Sequence, residues 1–480
     1  MKYYWTRYSS SYIDALLYML QGTEYRLKDY FAWYHRTSDF RDVMKRRTLE
    51  RTKKIRLLQR ALWTVWALLI LLILFLAGIS FITHDYMYVI LAAIVFVATP
   101  WVLAYGVALP LFVGRVLIQI PRERAMILEA KKIFNEHGAL KIAVVGSYGK
   151  TTVKEILGTV LGEQKKVAVT PGNMNTLIGV SRFTKKLKGD EEILIIEYGE
   201  ERPGDVWQLA QLTRPNMAVL TGINEAHLSS FKSLKQTTET IFEIVTFLGK
   251  KAKIYKNKES DVLAAKLKED DLFAYSRRGV DGWKVSDIKT SLETGTSFTA
   301  KKNDKIIHAQ TALIGLHNIG PSVLAISIAD SLDIPLKKIE AGLMNVTPFE
   351  HRMQPRKLHG AWLIDDTYNG NRDGVAAGLA LLKTLPAKRR IYVTPGLVET
   401  GHKTEEIHTI IGKQIATSAD MVVLMKNSVT GFIITGLKAK KFKGEILVID
   451  NPLDFYANID QFVAAGDVVL MQNDWTDNYR

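Results

Sequence analysis

The segment Gly146-Ser147-Tyr148-Gly149-Lys150-Thr151-Thr152 combines the residue types that hold a chain of phosphates. It follows the apolar run Ile142-Ala143-Val144-Val145 and leads into Val153-Lys154-Glu155, so it reads as a strand, a turn and the start of a helix. Gly146 and Gly149 let backbone amides converge on phosphate oxygens, with Ser147 and Thr152 in the same turn. The helix N-terminus adds its partial positive charge. Lys150 is placed to span the β- and γ-phosphates of a nucleotide, and the Thr151 hydroxyl to hold Mg²⁺. The strict phosphate-loop spacing asks for glycine at 144, where this chain has Val144. A glycine-lysine-threonine turn between a buried strand and a helix nonetheless predicts binding of a nucleotide with Mg²⁺. Glu197 closes a second apolar run, 192–197. A glutamate buried alone there is costly, whereas a magnesium ligand, direct or through water, has a use for it.

Further along, the motifs resemble those of the Mur ligases, in the same order. The turn at 146–152 is similar to that family's GxxGKT[ST] loop, and Thr170-Pro171-Gly172-Asn173-Met174-Asn175 resembles its asparagine-rich turn. Glu197-Tyr198-Gly199 looks like the family's magnesium-linked glutamate, and Asn224-Glu225-Ala226-His227-Leu228 its asparagine-to-histidine segment. Gly315-Leu316-His317-Asn318 and His351-Arg352-Met353 follow, and Asp365-Asp366-Thr367-Tyr368-Asn369-Gly370-Asn371 is similar to the DDSYNANP signature of the MurF branch. The resemblance implies an ATP-dependent amide ligase that activates a carboxylate as an acyl phosphate for attack by an amine. Charge on the transferred phosphoryl group calls for Lys150, Mg²⁺ and an arginine, assigned to Arg352. By the same resemblance Thr151, Glu197 and His227 serve the metal, His227 reaching a second ion. Asn318 contacts the adenine side and Asp366 the ribose. Asn173, Asn175, Tyr368, Asn369 and Asn371 are the substrate-facing candidates.

Three departures bear on the substrate half. Where the family often has a lysine carbamate bridging two magnesium ions, this chain has Ile241, with Glu239 and Glu243 as carboxylates that could replace it. Arg372 stands in place of the signature's proline, and Gly396-Leu397-Val398-Glu399-Thr400-Gly401 alters a second family element. The family's UDP-sugar-binding N-terminal domain has no counterpart, and apolar sequence occupies its place.

The elements that must position these residues alternate along the chain. Short β-branched runs at 141–145, 166–170, 192–197, 217–221 and 253–255 predict parallel strands buried on both faces. Polar–apolar alternation over 282–314 predicts antiparallel hairpins, and a helix is expected over 319–333. Runs at 361–365, 390–394, 421–424, 445–449 and 467–471 predict a second, Rossmann-like sheet. The fold class is therefore α/β: a membrane-anchoring region over 1–137, a central ATP-binding parallel-sheet domain over 138–346, and a Rossmann-like domain over 347–480.

Two runs, 61–83 and 86–114, carry no charge but His84-Asp85 between them. Each is long enough for a hydrocarbon core of about 20 residues, so a transmembrane helical hairpin is expected. Basic residues precede the first run (Lys45, Arg46, Arg47, Arg51, Lys53, Lys54, Arg56, Arg60) and follow the second (Arg115, Arg122, Arg124, Lys131, Lys132). This places both termini and the catalytic domains in the cytoplasm, at the inner membrane. The net charge of +15 is thus read as contact with lipid rather than nucleic acid. Residues 1–59 read as helical, either interfacial or as a small packing unit. The chain has no cysteine, which excludes disulfides, thiolate metal sites and a cysteine nucleophile. The expected partners are a bilayer, a carboxylate acceptor, an amino acid or dipeptide amine, and a lipid-linked wall precursor. The alternatives are a poly-γ-glutamate-type synthase and an ATP-binding membrane scaffold without turnover.

Overall fold

The computed structural model describes residues 4–44, 48–172, 174–224, 231, 233–267, 271–368, 370–398 and 400–473. The chain divides into two compact units, the first formed mainly by 1–122 and the second mainly by 123–450 and 458–474.

The first unit is helical. Helices α1 (Tyr12–Gly22) and α2 (Leu27–Arg36) precede α3 (Lys53–Thr83), α4 (Met87–Gly106) and the short α5 (Ala108–Gly114). A π-helical turn, Arg115–Gln119, leads into α6 (Ile120–Glu136). α3 starts at Lys53 rather than at the first apolar residue near 61, because Thr52 caps it by accepting from Ile55 N at 3.3 Å. His84, at φ 56°, turns the chain between α3 and α4. Ser80 Oγ donates to Asp85 O at 2.8 Å across that turn. α3 and the helical stretch Met87–Glu136 are long and apolar enough to cross a membrane, with hydropathies of 2.9 and 2.3. Leu71, Leu74, Phe75, Ile90 and Ile94 on these helices are exposed.

Of the two expectations for the N-terminal residues, the structure shows the packing unit. Leu16, Tyr30 and Phe40 share a core with Ile55, Leu62 and Leu103. The tyrosines have a second task, set by Pro100 inside α4. Proline has no N–H, so the Phe96 carbonyl loses its usual donor. Tyr8 Oη donates to Phe96 O at 3.2 Å, Tyr12 Oη to Pro100 O at 3.0 Å and Tyr30 Oη to Ala104 O at 3.0 Å. Tyr8 thus supplies the donor that Phe96 O lacks, and the three accepting carbonyls lie at four-residue spacing along one face of the helix.

The second unit is α/β. β1 (Leu140–Val145) feeds α7 (Lys150–Gly162), followed by β2 (Val167–Val169), α8 (Leu177–Phe183), β3 (Ile193–Glu197), α9 (Asp205–Thr213), β4 (Met217–Leu220), α10 (Leu234–Leu248), β5 (Ile254–Asn257), α11 (Asp261–Ala264) and β6 (Ala274–Tyr275). These six strands form one parallel sheet in the order β2-β3-β1-β4-β5-β6. The central strands β1, β3 and β4 are mostly apolar because both faces of the sheet are covered. Ile142, Val144, Ile195 and Val219 join a core with α7, whereas Ala143, Val145, Ile196 and Leu220 join another with Phe134, Leu209 and Ile241.

β7 (Gly279–Val280), β8 (Trp283–Ser291), β9 (Gly295–Lys302) and β10 (Lys305–Thr311) make the antiparallel sheet. α12 (Ile319–Asp330) ends three residues short of the expected 333, and α13 covers Leu336–Met344. The last sheet has the order β11-β12-β16-β13-β14-β15, from β11 (Gln354–Leu358), β12 (Ala361–Asp366), β13 (Arg389–Thr394), β14 (Met421–Met425), β15 (Glu445–Ile449) and β16 (Asp467–Gln472). α14 (Arg372–Thr384), α15 (Thr404–Ile415) and α16 (Thr430–Ala439) pack with it. β11, unforeseen, is the antiparallel edge, a position that tolerates Pro355.

Candidate active site

The sheet order reverses around β1, which lies between β3 and β4 although it precedes both. Ligands of such sheets bind beyond the carboxyl ends of the strands at this point. The loop from β1 is built for close approach there. Gly146 has φ 150°, and a side chain on it would collide with the Thr221 hydroxyl and come within 2.8 Å of Gly222 O. Gly149, at φ 76° in the left-handed region, starts α7. Ser147 N donates to Gly222 O at 2.7 Å, while its buried Oγ has no hydrogen-bond partner among the described residues. Burial pushes the neighbouring Tyr148 phenol up to about 12, with Asp373 adding to the shift.

Four strand ends converge on this loop. Thr151 Oγ1 donates to Glu197 Oε2 at 3.0 Å, and Asn175 Nδ2 donates to Glu197 Oε1 at 3.1 Å. Lys154, fully buried, donates to Thr170 O and Gly172 O at 2.8 Å each and lies 3.3 Å from Glu197 Oε2. The buried Glu197 is thus held in one orientation by a hydroxyl, an amide and an ammonium, as a charge at 2% exposure requires. Lys150 Nζ meets both oxygens of Glu200, at 2.9 and 3.1 Å, and also donates to Gly146 O.

The C-terminal sheet contributes the opposite side. Arg352 Nη2 donates to Thr151 Oγ1 at 3.3 Å, and its guanidinium lies 4.5 Å above the Tyr368 ring. It sits between two non-glycine residues at positive φ, His351 (57°) and Met353 (45°), a strained turn that aims it at α7. Asn224, beyond β4, donates to Asn371 Oδ1 at 3.1 Å and Asp373 Oδ2 at 2.9 Å. Asn371 also caps α14, accepting from Asp373 N and Gly374 N.

Asp366 accepts from Gln472 Nε2 at 2.7 Å and Met353 N at 3.1 Å. Burial pushes its carboxyl up to about 6, against the pull of those hydrogen bonds and of Arg352. A carboxyl raised in the folded state contributes stability that is complete below about pH 4 and lost as pH rises through about 6. Asp366→Asn is therefore expected to flatten the fall in melting temperature between those values in detergent-solubilised protein. An unchanged pH profile would contradict the assignment.

The structure thus brings Gly146, Ser147, Gly149, Lys150, Thr151, Glu197 and Arg352 together, with Thr152 on the first turn of α7. Asn175 and Asn371, expected to face substrate, are engaged with Glu197 and with the helix cap and Asn224. Asn318 is buried at the start of α12 and donates to Ile314 O at 2.8 Å. His227, Asn173 and Asn369 lie outside the described residues. The two carboxylates suggested as carbamate substitutes differ in their surroundings. Glu243 accepts from Gly204 N and Trp207 N at 2.8 Å each, at the start of α9. Glu239 is exposed and pairs loosely with Lys235, while Ile241 is buried in the core. Lys154, Glu200, Thr221 and Asp373 were missed as site residues. Lys154 alone had a signal, a lysine in the apolar stripe of Val153, Ile156, Leu157 and Val160.

The arrangement fits a nucleotide with a divalent cation. Two glycines clear a cradle, an unpartnered buried hydroxyl faces a loop at a helix N-terminus, and Thr151 pairs with a fixed carboxylate. Among the described residues there is no group of three His, Asp or Glu side chains to hold a metal by itself.

Residues 144–329 match the model of the Mur ligase middle domain, and 351–472 that of the Mur ligase glutamate ligase domain. The chain belongs to the Mur ligase superfamily. Within it the chain is MurF-like. Its relatives include UDP-N-acetylmuramoyl-tripeptide--D-alanyl-D-alanine ligases of Buchnera aphidicola (29% identical over 288 residues, 58% of this chain and 62% of that one) and Escherichia coli (27% over 281 residues, 57% and 61%). The chain spans less than two thirds of the length of these relatives. Among solved structures, MurF from Acinetobacter baumannii superposes with TM-score 0.65 at 20% identity, covering 74% of this chain and 78% of that one. MurF from Thermotoga maritima in complex with ADP gives 0.64 at 24% identity, covering 73% and 80%. These likenesses show the fold.

Proposed function

We propose that this protein is an ATP-dependent amide ligase acting on a cell-wall or surface-polymer precursor at the cytoplasmic face of a membrane. The observation that carries the reading is the Thr151 hydroxyl, which the carboxylate of Glu197 and the guanidinium of Arg352 approach from two different sheets. ATP bound in this loop supplies the phosphoryl group that converts a carboxylate to an acyl phosphate with ADP as leaving group; an amine then attacks the acyl carbon and expels phosphate to give the amide. The loop amides and Lys150 hold the phosphates, and Thr151 with Glu197 holds Mg²⁺, joined by His227 in the reading from family resemblance. Arg352 offsets charge on the moving phosphoryl group. Asn318 and Asp366 are assigned to the adenine and ribose sides.

The membrane reading rests on α3 and α4. Only 6% of the most apolar window of α3 is buried within the protein, a surface too apolar to leave in water. The basic flanks put both termini in the cytoplasm. The relatives' names supply the substrate class, a muramoyl peptide carboxylate and a dipeptide amine. A lipid-linked form of the former suits a membrane-held ligase.

Protein purified in detergent is expected to release phosphate from ATP only when a suitable carboxylate and amine are both supplied, from a panel of amino acids, dipeptides and soluble or lipid-linked wall precursors. Ile241 keeps a second reading in view, an ATP-binding scaffold. Nucleotide binding without release across that panel is its signature and would sink the ligase.

A further inference from the structure

The sequence Glu197-Tyr198-Gly199-Glu200-Glu201 places a second carboxylate just beyond the strand that ends in Glu197. Glu200 is 2% exposed, and its side chain faces Lys150 rather than solvent. An ammonium has three donors. In this structure those of Lys150 are occupied by Gly146 O and the two Glu200 oxygens. The lysine assigned to phosphate therefore begins with its hydrogen bonds made, inside a pair whose members are 12% and 1% exposed.

We infer that Glu200 is a positioning residue that holds Lys150 and weakens binding of nucleoside di- and triphosphates. This rests on the phosphate-binding reading of the loop. Two physical routes lead to the same effect. If Lys150 turns to a phosphate, it must surrender contacts to a buried carboxylate. If it keeps them, a negative charge stays beside the incoming anion, and like charges in a water-poor site repel strongly. Either way the loop meets the nucleotide with its lysine charge neutralised. Such a loop discriminates between ligands by how much phosphate charge they bring to reclaim the lysine. It also lets product leave once the terminal phosphoryl group is gone.

Glu200→Gln retains an amide that can accept from Lys150 and removes the charge. Titration of the detergent-solubilised full chain with Mg·ADP and Mg·ATP should show tighter binding by the variant, about ten-fold. Glu200→Asp, which keeps the charge, should bind no tighter than the wild type. A purely structural carboxylate would give weaker binding in both variants. Unchanged or weakened binding by a Glu200→Gln protein with a wild-type melting temperature would overturn the inference while leaving the proposed function standing. If Glu200→Gln fails to fold, Lys150→Ala/Glu200→Gln supplies the second measurement. Removing the buried charge that has lost the Lys150 ammonium should raise its melting temperature above that of Lys150→Ala, and a lower one would overturn the pairing. Absence of nucleotide binding by the wild type would sink the proposed function and this inference together.

Discussion

Lys150→Ala is expected to lower acceptor-dependent phosphate release by about 10³-fold, the upper range for removing one preorganised donor from a water-poor site. The loss has two physical sources. The ammonium assigned to the phosphates disappears, and the Glu200 carboxylate beside it loses its cation. Removing one partner of a buried pair costs about 3–5 kcal/mol, so the variant should also melt earlier than the wild type. Assaying both properties separates them. Lys150→Ala/Glu200→Gln should regain melting temperature and leave turnover at background. A single variant with more than a tenth of wild-type turnover would remove Lys150 from the reaction.

Arg352→Ala should lower turnover by about 10³-fold, as loss of an arginine that stabilises transferring phosphate does elsewhere, with a much smaller effect on nucleotide affinity. The guanidinium reaches Thr151 from the C-terminal sheet and is stacked on Tyr368. Its contribution therefore depends on a geometry that a lysine cannot copy, lacking both the planar fork and the stacking face. Arg352→Lys should recover little. Comparable losses in nucleotide affinity and turnover would make Arg352 a binding residue instead. Single-turnover measurement at saturating ATP decides between these roles.

Most of the scaffold was legible because parallel strands buried on both faces are continuous apolar runs, and each run at 141–145, 192–197 and 217–221 became a strand. The glycine-lysine-threonine turn was legible because few structural tasks need those residues together. What escaped has physical reasons. β11 contains Pro355 and little apolar patterning, so only its edge position makes it a strand. Glu200-Glu201-Arg202 reads as a solvated charge run until the fold turns Glu200 inward. The link between Asn224 and Asp373 joins residues 149 apart in sequence, and no local pattern announces it. Glu243 looked available for a metal because its partners, the amides at the start of α9, exist only once the helices pack. Composition left the N-terminal tyrosines either interfacial or in a packing unit, because the α4 carbonyls that receive Tyr12 and Tyr30 lie 88 and 74 residues away in sequence.

The central claim is amide formation coupled to ATP cleavage, and product stoichiometry tests it most directly. ADP, phosphate and the new compound would be quantified by mass spectrometry in reactions of the detergent-solubilised full chain with ATP, Mg²⁺ and paired carboxylate and amine candidates. The account predicts one ADP and one phosphate for each product whose mass equals acceptor plus amine less water. Phosphate released without any such product, or nucleotide bound and never cleaved with every pair, would contradict it.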